Sequence, residues 1–177
     1  SLGGERMDGE RDVVVSSVRR ALDEGVFVVA AAGNDGGQDD DGQVASPAFL
    51  PRVIAVGASN ESGAIWTNSS RGDGSGDAPN QKPEVIAPGV NVISTGSDDA
   101  WYASSGTSVS TVMVSSALAM ILEAHPELMV EDDRCIEHVK FALREALGSS
   151  HDTSTGYGLL DAKGWFEQVD PTCPSAE

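Results

Sequence analysis

Hydroxyl groups crowd one short stretch, Ser104-Ser105-Gly106-Thr107-Ser108-Val109-Ser110-Thr111. It runs directly into Val112-Met113-Val114-Ser115-Ser116-Ala117-Leu118-Ala119-Met120-Ile121-Leu122. The pattern predicts a loop that turns into a helix at Ser108. Gly106 permits a tight backbone approach. Thr107 and Ser108 carry oxygens that can accept from the orphan N–H groups of a helix start. No charge appears until Glu123, so a core helix, buried on nearly every side, is expected. The run is too short and too serine-rich for a membrane span. Ser108 then sits at the positive end of a helix dipole, where negative charge is favoured. The chemistry this suggests is nucleophilic attack by Ser108; the plain alternative is a helix cap. A second stretch, Val28-Val29-Ala30-Ala31-Ala32-Gly33-Asn34, reads as a buried strand ending in an amide side chain.

A serine hydroxyl is a poor nucleophile until a base takes its proton. The chain offers His125, His138 and His151. His125 follows the helix roughly 25 Å from Ser108 at 1.5 Å per residue, beyond reach. His138 falls on a charged helical face and His151 in a polar loop. None is expected to act as the base.

Ser105-Gly106-Thr107-Ser108 resembles the nucleophile segment of the subtilisin-like serine proteases (subtilases). Ala31-Ala32-Gly33-Asn34 resembles their oxyanion-hole strand end, and Ser1-Leu2-Gly3-Gly4 the strand lining their substrate cleft. Asn68-Ser69-Ser70-Arg71-Gly72, Lys82-Pro83-Glu84-Val85-Ile86-Ala87-Pro88-Gly89 and Tyr157-Gly158-Leu159-Leu160-Asp161-Ala162 follow in the family's order. Each segment alone is weak; their order is the signal. The motif is not Gly-x-Ser-x-Gly, because Ser110 replaces the second glycine, which disfavours an α/β-hydrolase elbow.

The resemblance implies an incomplete α/β fold, a parallel sheet with helices on both faces. Residues 1–162 would be the C-terminal part of a catalytic domain and 163–177 a loose tail. It implies a serine endopeptidase with Ser108 as nucleophile, acting on a peptide or protein substrate. The triad's Asp and His would lie upstream of Ser1, in the missing N-terminal half of the same domain. The oxyanion donors would be the Asn34 side-chain amide and the Ser108 N–H. The alternative for Asn34 is a strand-end turn residue. Substrate would add as a strand along Ser1, Leu2 and Gly3, with Ala31, Ala32, Gly33 and Ala45 around a roomy apolar pocket. No metal ligand or cofactor is assigned, and calcium is left open. The compartment is open too, with secretion favoured over the cytoplasm.

The chain departs from the family after Ser108. The usual Met-Ala-(Ser/Thr)-Pro-His-Val-Ala-Gly is replaced by Val109 to Ser116, so Val112 and Met113 stand for the helix proline and histidine. These positions are expected to support the nucleophile's helix. The departure keeps an inactive, degenerate subtilase-fold binding or structural domain as an alternative; an esterase or acyltransferase using the same triad is another.

The elements needed to position these groups are legible in the pattern. Asp12 to Glu24 reads as a helix with Val14, Val18, Ala21 and Leu22 on one face, ended by Gly25. Val26–Ala32 reads as a buried strand, continuous in apolar character as in a parallel sheet, Arg52–Ala58 as another buried strand, and Val85–Ala87 as strand-like. Val90–Thr95 and Ile65–Thr67 read as further strands. Asp132 to Leu147 reads as a helix through Ile136, Val139, Leu143, Ala146 and Leu147. The acidic loop with Asp35, Asp39, Asp40 and Asp41 fails the EF-hand register, because Gly37 stands at the first ligand position, and reads as solvated. Cys135 and Cys173 are expected as two free thiols, with a disulfide as the alternative.

The chain has 177 residues, 28 acidic and 11 basic, for a net charge of −17. Phosphates would be repelled, so nucleic acid is excluded as a partner, and the pattern calls for no membrane. The lysines are only Lys82, Lys140 and Lys163. Acidic, lysine-poor surfaces resemble those of proteins from brine, an acidic mesophilic protein being the alternative. On the halophile reading the carboxylates repel one another until salt screens them. The Debye length shrinks from about 10 Å at 0.1 M to about 3 Å at 1 M. The thermal unfolding midpoint is therefore expected to rise from low to multimolar KCl; an unchanged midpoint removes that role from the charge.

Overall fold

The computed structural model describes residues 1, 3–4, 12–36, 43–73, 76–129, 134–148 and 150–173. Leu2, Asp39, Asp40 and Asp41 lie outside the described residues. Asp12 starts helix α1 (Val13–Asp23) by accepting from the N–H groups of Val14 and Val15 at 2.9 and 3.1 Å. Gly25, at φ 77°, follows its end. The buried face runs through Val15 and Leu22 with Val18 beside them, while Val14 is 53% exposed. The expected apolar face is thus turned by one residue, because 15, 18 and 22 also fit a helical period.

Three short strands form the sheet: β1 (Val29–Ala31), β2 (Ile54–Ser59) and β3 (Val85–Pro88), in the order β1-β2-β3 and all parallel. Val29 lies opposite Ile54, and Val56 opposite Val85. Every residue of β2 is buried, which is why its sequence shows no polar alternation. Side chains still alternate between faces. Ile54, Val56, Val85 and Ala87 go into the core beneath the long helix α2 (Thr107–Ala124), while Ala30, Ala32 and Ala55 pack with Val15 and Leu22 of α1. Helices therefore cover both faces of a parallel sheet.

The strand expected at Val90–Thr95 appears as β4 (Val92–Thr95), antiparallel to β5 (Trp101–Ser104), a partner the sequence reading did not foresee. This hairpin delivers the chain to Gly106. Helix α2 lays Thr111, Val114, Ala117, Leu118 and Ile121 on the sheet. Its opposite side is open: Val112 is 55% exposed and Met120 58%. The expectation of burial on nearly every side is therefore wrong for this chain as it stands. Among the described residues α2 is also the one helix long and apolar enough, by length and composition, to cross a membrane. Its seat on β1, β2 and β3 makes it a core helix.

Helices α3 (Arg134–Leu147) and α4 (Ala162–Gln168) close the core. The loose tail expected from Lys163 is corrected here. Trp165 and Val169 are buried, and the Trp165 indole donates to Val139 O at 3.0 Å. The expected free thiols are corrected too. Cys135 and Cys173 form a disulfide, with Cα atoms 5.3 Å apart across a sequence separation of 38. Helix α4 brings the chain back beside α3, which spacing alone could not reveal. Closing such a loop stabilises by about 4 kcal/mol in the chain-entropy account.

Buried charge ties α3 to the sheet. The Nζ atoms of Lys82 and Lys140 each lie 2.7 Å from Glu84 Oε1, and both donate to Val53 O, at 2.6 and 3.2 Å. Lys140 also donates to Asn80 Oδ1, and Asn80 donates to Glu137. Glu84 Oε2 accepts from Ala55 N at 2.8 Å. Burial pulls the Lys82 ammonium from 10.5 down to about 7, helped by Lys140 and opposed by Glu84 and Glu137. Between those two values the unfolded chain holds a proton that the folded chain lacks, so stability rises with pH across that window. The unfolding midpoint should climb from pH 7 towards pH 10. Lys82→Met, which leaves Lys140 to pair with Glu84, should flatten that climb; an unchanged slope would refute the assignment.

Candidate active site

Two chain segments far apart in sequence meet where β1 ends and α2 begins. Gly33 follows the strand at φ 113°, and a Cβ there would come within 2.7 Å of Ser70 Oγ and 3.3 Å of Ala45 Cβ. Only glycine makes this turn without strain. The turn is held by Ser70 N donating to Gly33 O at 2.9 Å and by Asp35 N donating to Ser70 Oγ at 3.2 Å. Asn34 is thereby presented, exposed, at the start of α2.

The start of α2 is not built as the sequence suggested. Gly106 is the N-cap, at φ 150°, and no side chain of its own segment caps the helix. Instead Asn34 Oδ1 accepts the Thr107 N–H at 2.9 Å. The Thr107 hydroxyl accepts from Gly33 N at 3.2 Å, and its single hydrogen can serve Asn34 Oδ1 at 3.0 Å or Gly33 O at 3.2 Å. A backbone N–H only donates, so the Asn34 atom facing it must be the oxygen. Both hydrogens of Asn34 Nδ2 are then left for another acceptor.

Ser108 follows as the second residue of the helix, half-buried, with its N–H among those a helix start leaves unpaired. Behind it, Ser110 Oγ donates to Ala87 O at 2.8 Å, and Gly106 N donates to Gly89 O at 2.7 Å. A Cβ on Gly89 would collide with Ser110 Oγ. The Pro88-Gly89 turn after β3 therefore seats the turn before Ser108 directly.

Ser1 reaches the same place, with its Oγ donating to Ser108 O at 3.3 Å. Gly4 and Ser46 exchange backbone hydrogen bonds at 3.2 and 3.0 Å, and Gly3 faces Ser46 O and Ala45. Ala45 N donates to Ala32 O at 2.7 Å. Ser1 with Ser108, Gly3 and Gly33 with Ala45, and Asn34 with the start of α2 thus form a run of neighbouring contacts. Ala31 and Ala32 are buried at 5% and 0% exposure, Ala32 among the residues that pack with α1. Leu2 is outside the described residues.

The histidines are all occupied elsewhere. His125 lies against Phe166, His138 Nε2 is 2.9 Å from Asp170 O, and His151 Nε2 is 2.9 Å from Pro83 O. No hydrogen bond to Ser108 Oγ is made among the described residues. The sequence reading missed Thr107 as the residue that locks the Asn34 amide, and Ser70 as the prop of Gly33. Their membership of the matching segments was the available signal, but hydroxyls in a row do not reveal which one crosses to the strand.

Three comparisons with known proteins follow this geometry. The sequence model described as the Subtilase family matches residues 1–165. Subtilisin E of Bacillus subtilis (strain 168) is 38% identical over 126 residues, covering 71% of this chain and 30% of its own. Serine protease AprX of the same organism is 33% identical over 156 residues, covering 75% and 34%. The chain thus spans about a third of the length of these curated relatives. The structure of prenylagaramide maturation protease PagA superposes with a TM-score of 0.73 at 27% identity, over 95% of this chain and 60% of that one.

Thr107 is fully buried, so Thr107→Val would strand the Gly33 N–H while leaving the Thr107 N–H to hold Asn34 Oδ1. The unfolding free energy in urea is expected to fall by about 1–3 kcal/mol, the cost of a buried unpaired donor. A loss under a few tenths would show the hydroxyl to be idle.

Proposed function

Because the chain belongs to the subtilase family, we propose that the protein is a serine endopeptidase whose acyl-enzyme forms on Ser108. Its base and the carboxylate that orients that base are supplied by a part of the domain outside this chain. The observation that carries the reading is the Asn34 Oδ1 bond to Thr107 N–H, one residue before the nucleophile. It fixes which end of the amide is free to donate and anchors it to the helix that carries Ser108.

In the proposed reaction the base takes the Ser108 Oγ proton as Oγ bonds to the scissile carbonyl carbon. The carbonyl oxygen becomes an oxyanion and accepts from Asn34 Nδ2 and the Ser108 N–H, donors set before the charge develops. The α2 dipole adds stabilisation of the same sign. The base then passes the proton to the leaving amine, and the acyl-enzyme is released by water. Ser1, Leu2 and Gly3 offer backbone to an extended peptide. The opening at Gly3, Gly33 and Ala45, with Ala31 and Ala32 behind, suits an apolar side chain before the cut. The proposed chemistry needs only protein groups, with calcium left open.

The net charge of −17 argues against nucleic acid as a partner. The Cys135–Cys173 disulfide suits an oxidising compartment, which supports secretion. The inactive-domain alternative rested on Val112 and Met113 weakening the nucleophile's support. Both are exposed on the side of α2 away from the sheet, so neither packs against the sheet, and the rates of the whole domain below decide between the two readings.

This chain alone is expected to hydrolyse neither casein nor peptides, having no placed base. Turnover by it that Ser108→Ala abolishes would contradict that. In the whole domain, Ser108→Ala should leave only residual catalysis. Asn34→Ala should lower kcat by about 10²–10³-fold with little change in KM, a magnitude carried over from subtilisin. Rates per titrated active site separate this from instability: a kcat within about twofold of the parent would reject the oxyanion role. Cleavage of esters without peptides would favour the esterase reading.

A further inference from the structure

We propose that Asp12 and Ser46 are positioning residues for substrate binding. Their side-chain hydrogen bond holds the segment that carries Gly3 and Gly4 in the posture an extended peptide pairs with. Breaking it weakens peptide binding and leaves the chemical step alone. The inference rests on the reading above, in which Ser1, Leu2 and Gly3 offer backbone to the peptide. Both side chains are buried, so they act through that backbone and not by touching substrate.

The segment itself is held by little. Gly4 and Ser46 form one isolated antiparallel bridge, with Gly4 N donating to Ser46 O at 3.2 Å and Ser46 N donating to Gly4 O at 3.0 Å. Among the described residues no second rung extends it. Gly3 and Gly4 are exposed, and a glycine pair loses much backbone freedom when it is ordered. A peptide that must order this segment as it binds loses affinity by that cost. The order comes from Ser46, which is 5% exposed. Its neighbours Val44, Ala48 and Leu50 are buried against Val15 and Leu22 of α1. Ala45 N is tied to Ala32 O at 2.7 Å.

Asp12 grips Ser46 from the side of α1. Its carboxylate is buried, and the two oxygens have separate tasks. Oδ1 accepts from Val14 N and Val15 N and so caps the helix. Oδ2 accepts from the Ser46 hydroxyl at 3.2 Å, across a sequence separation of 34. A cap needs one oxygen, and serine or threonine would supply it without bringing a charge into the interior. The second oxygen is what aspartate adds here, and Ser46 is its partner. A buried carboxylate is tolerated only when its oxygens are hydrogen-bonded, so the Ser46 hydroxyl is committed to Asp12. That bond fixes the Ser46 side chain, and with it the backbone pair that Ser46 presents to Gly4. The seat of α1 on the sheet is thereby transmitted to the cleft.

The test uses the whole domain, this chain extended by its own gene upstream of Ser1. Asp12→Ser keeps a cap on α1 but is too short to reach Ser46. Ser46→Ala removes the same bond from the other side. Asp12→Asn keeps the cap and can donate from Nδ2 to the Ser46 hydroxyl, so it is the rescue. For a peptide amide long enough to pair with residues 1–3, Asp12→Ser and Ser46→Ala should each raise KM about 3–10-fold, the factor of one net hydrogen bond, with kcat per titrated site unchanged. Asp12→Asn should restore KM, and the double variant should be no worse than either single one. A small acyl ester that does not reach residues 1–3 should keep its KM in every variant. An unchanged peptide KM overturns the proposal even where Tm falls, since a merely structural bond lowers Tm and the titrated count alone. A fall in kcat with KM unchanged, or an equal rise in KM for the ester, overturns it as well. If the parent cuts no peptide, the peptidase reading falls alone, and hydrogen exchange decides the positioning claim. The segments carrying Gly4 N–H and Ser46 N–H should then exchange about 3–10-fold faster in Asp12→Ser and Ser46→Ala than in the parent and Asp12→Asn. Equal exchange rates overturn it.

Discussion

The hydrogen bond from Thr107 N–H to Asn34 Oδ1 is the constraint on which the rest of the site depends. It joins groups 73 residues apart and does two things at once. It supplies an acceptor to the start of α2, where Gly106 has no side chain to offer. It also turns the Asn34 amide so that its nitrogen faces outward. The bond exists only if β1 ends where it does. A slip of one residue against β2 would turn every β1 side chain to the other face and carry Asn34 away from the helix. Val29 packing into the core beneath α2 and Val28 into the core beside α1 fix that register.

The sheet is equally a platform for α2. The turns after β1 and β3 both end at the helix start, one through Gly33 and Asn34, the other through Gly89 against Ser110. Glycine at each lets backbone approach where a side chain would intrude. Farther from the site, the buried Lys82–Glu84–Lys140 cluster joins α3 to the start of β3, the strand that leads to Gly89. Buried ion pairs contribute little net stability but are costly to break on one side. The cluster thus specifies how α3 docks more than it strengthens the fold.

The two sides of α2 show how one helix can answer to two surfaces. Its sheet side is a finished interior. Its outward side has the composition of an interior and the exposure of a surface, in a chain that spans about a third of its curated relatives. The apolar run reads identically for both sides, because composition records that a helix is to be buried and not when or by what.

Much of the fold was legible because local patterns carried it. The uncharged run after Ser108, the apolar strands and Gly25 fixed a layered α/β arrangement, and the order of the matching segments located Ser108 and Asn34. What the sequence could not decide was long-range pairing. Whether Thr107 caps its own helix or crosses to Gly33 and Asn34 depends on where β1 ends in space. Whether Cys135 meets Cys173 depends on α4 returning beside α3. Whether Lys163 onward is loose depends on Trp165 finding Val139. Even the buried face of α1, Val15 over Val14, was settled by the sheet beneath it. Each turns on contacts between residues distant in sequence, and periodicity within a segment holds no record of what packs against it.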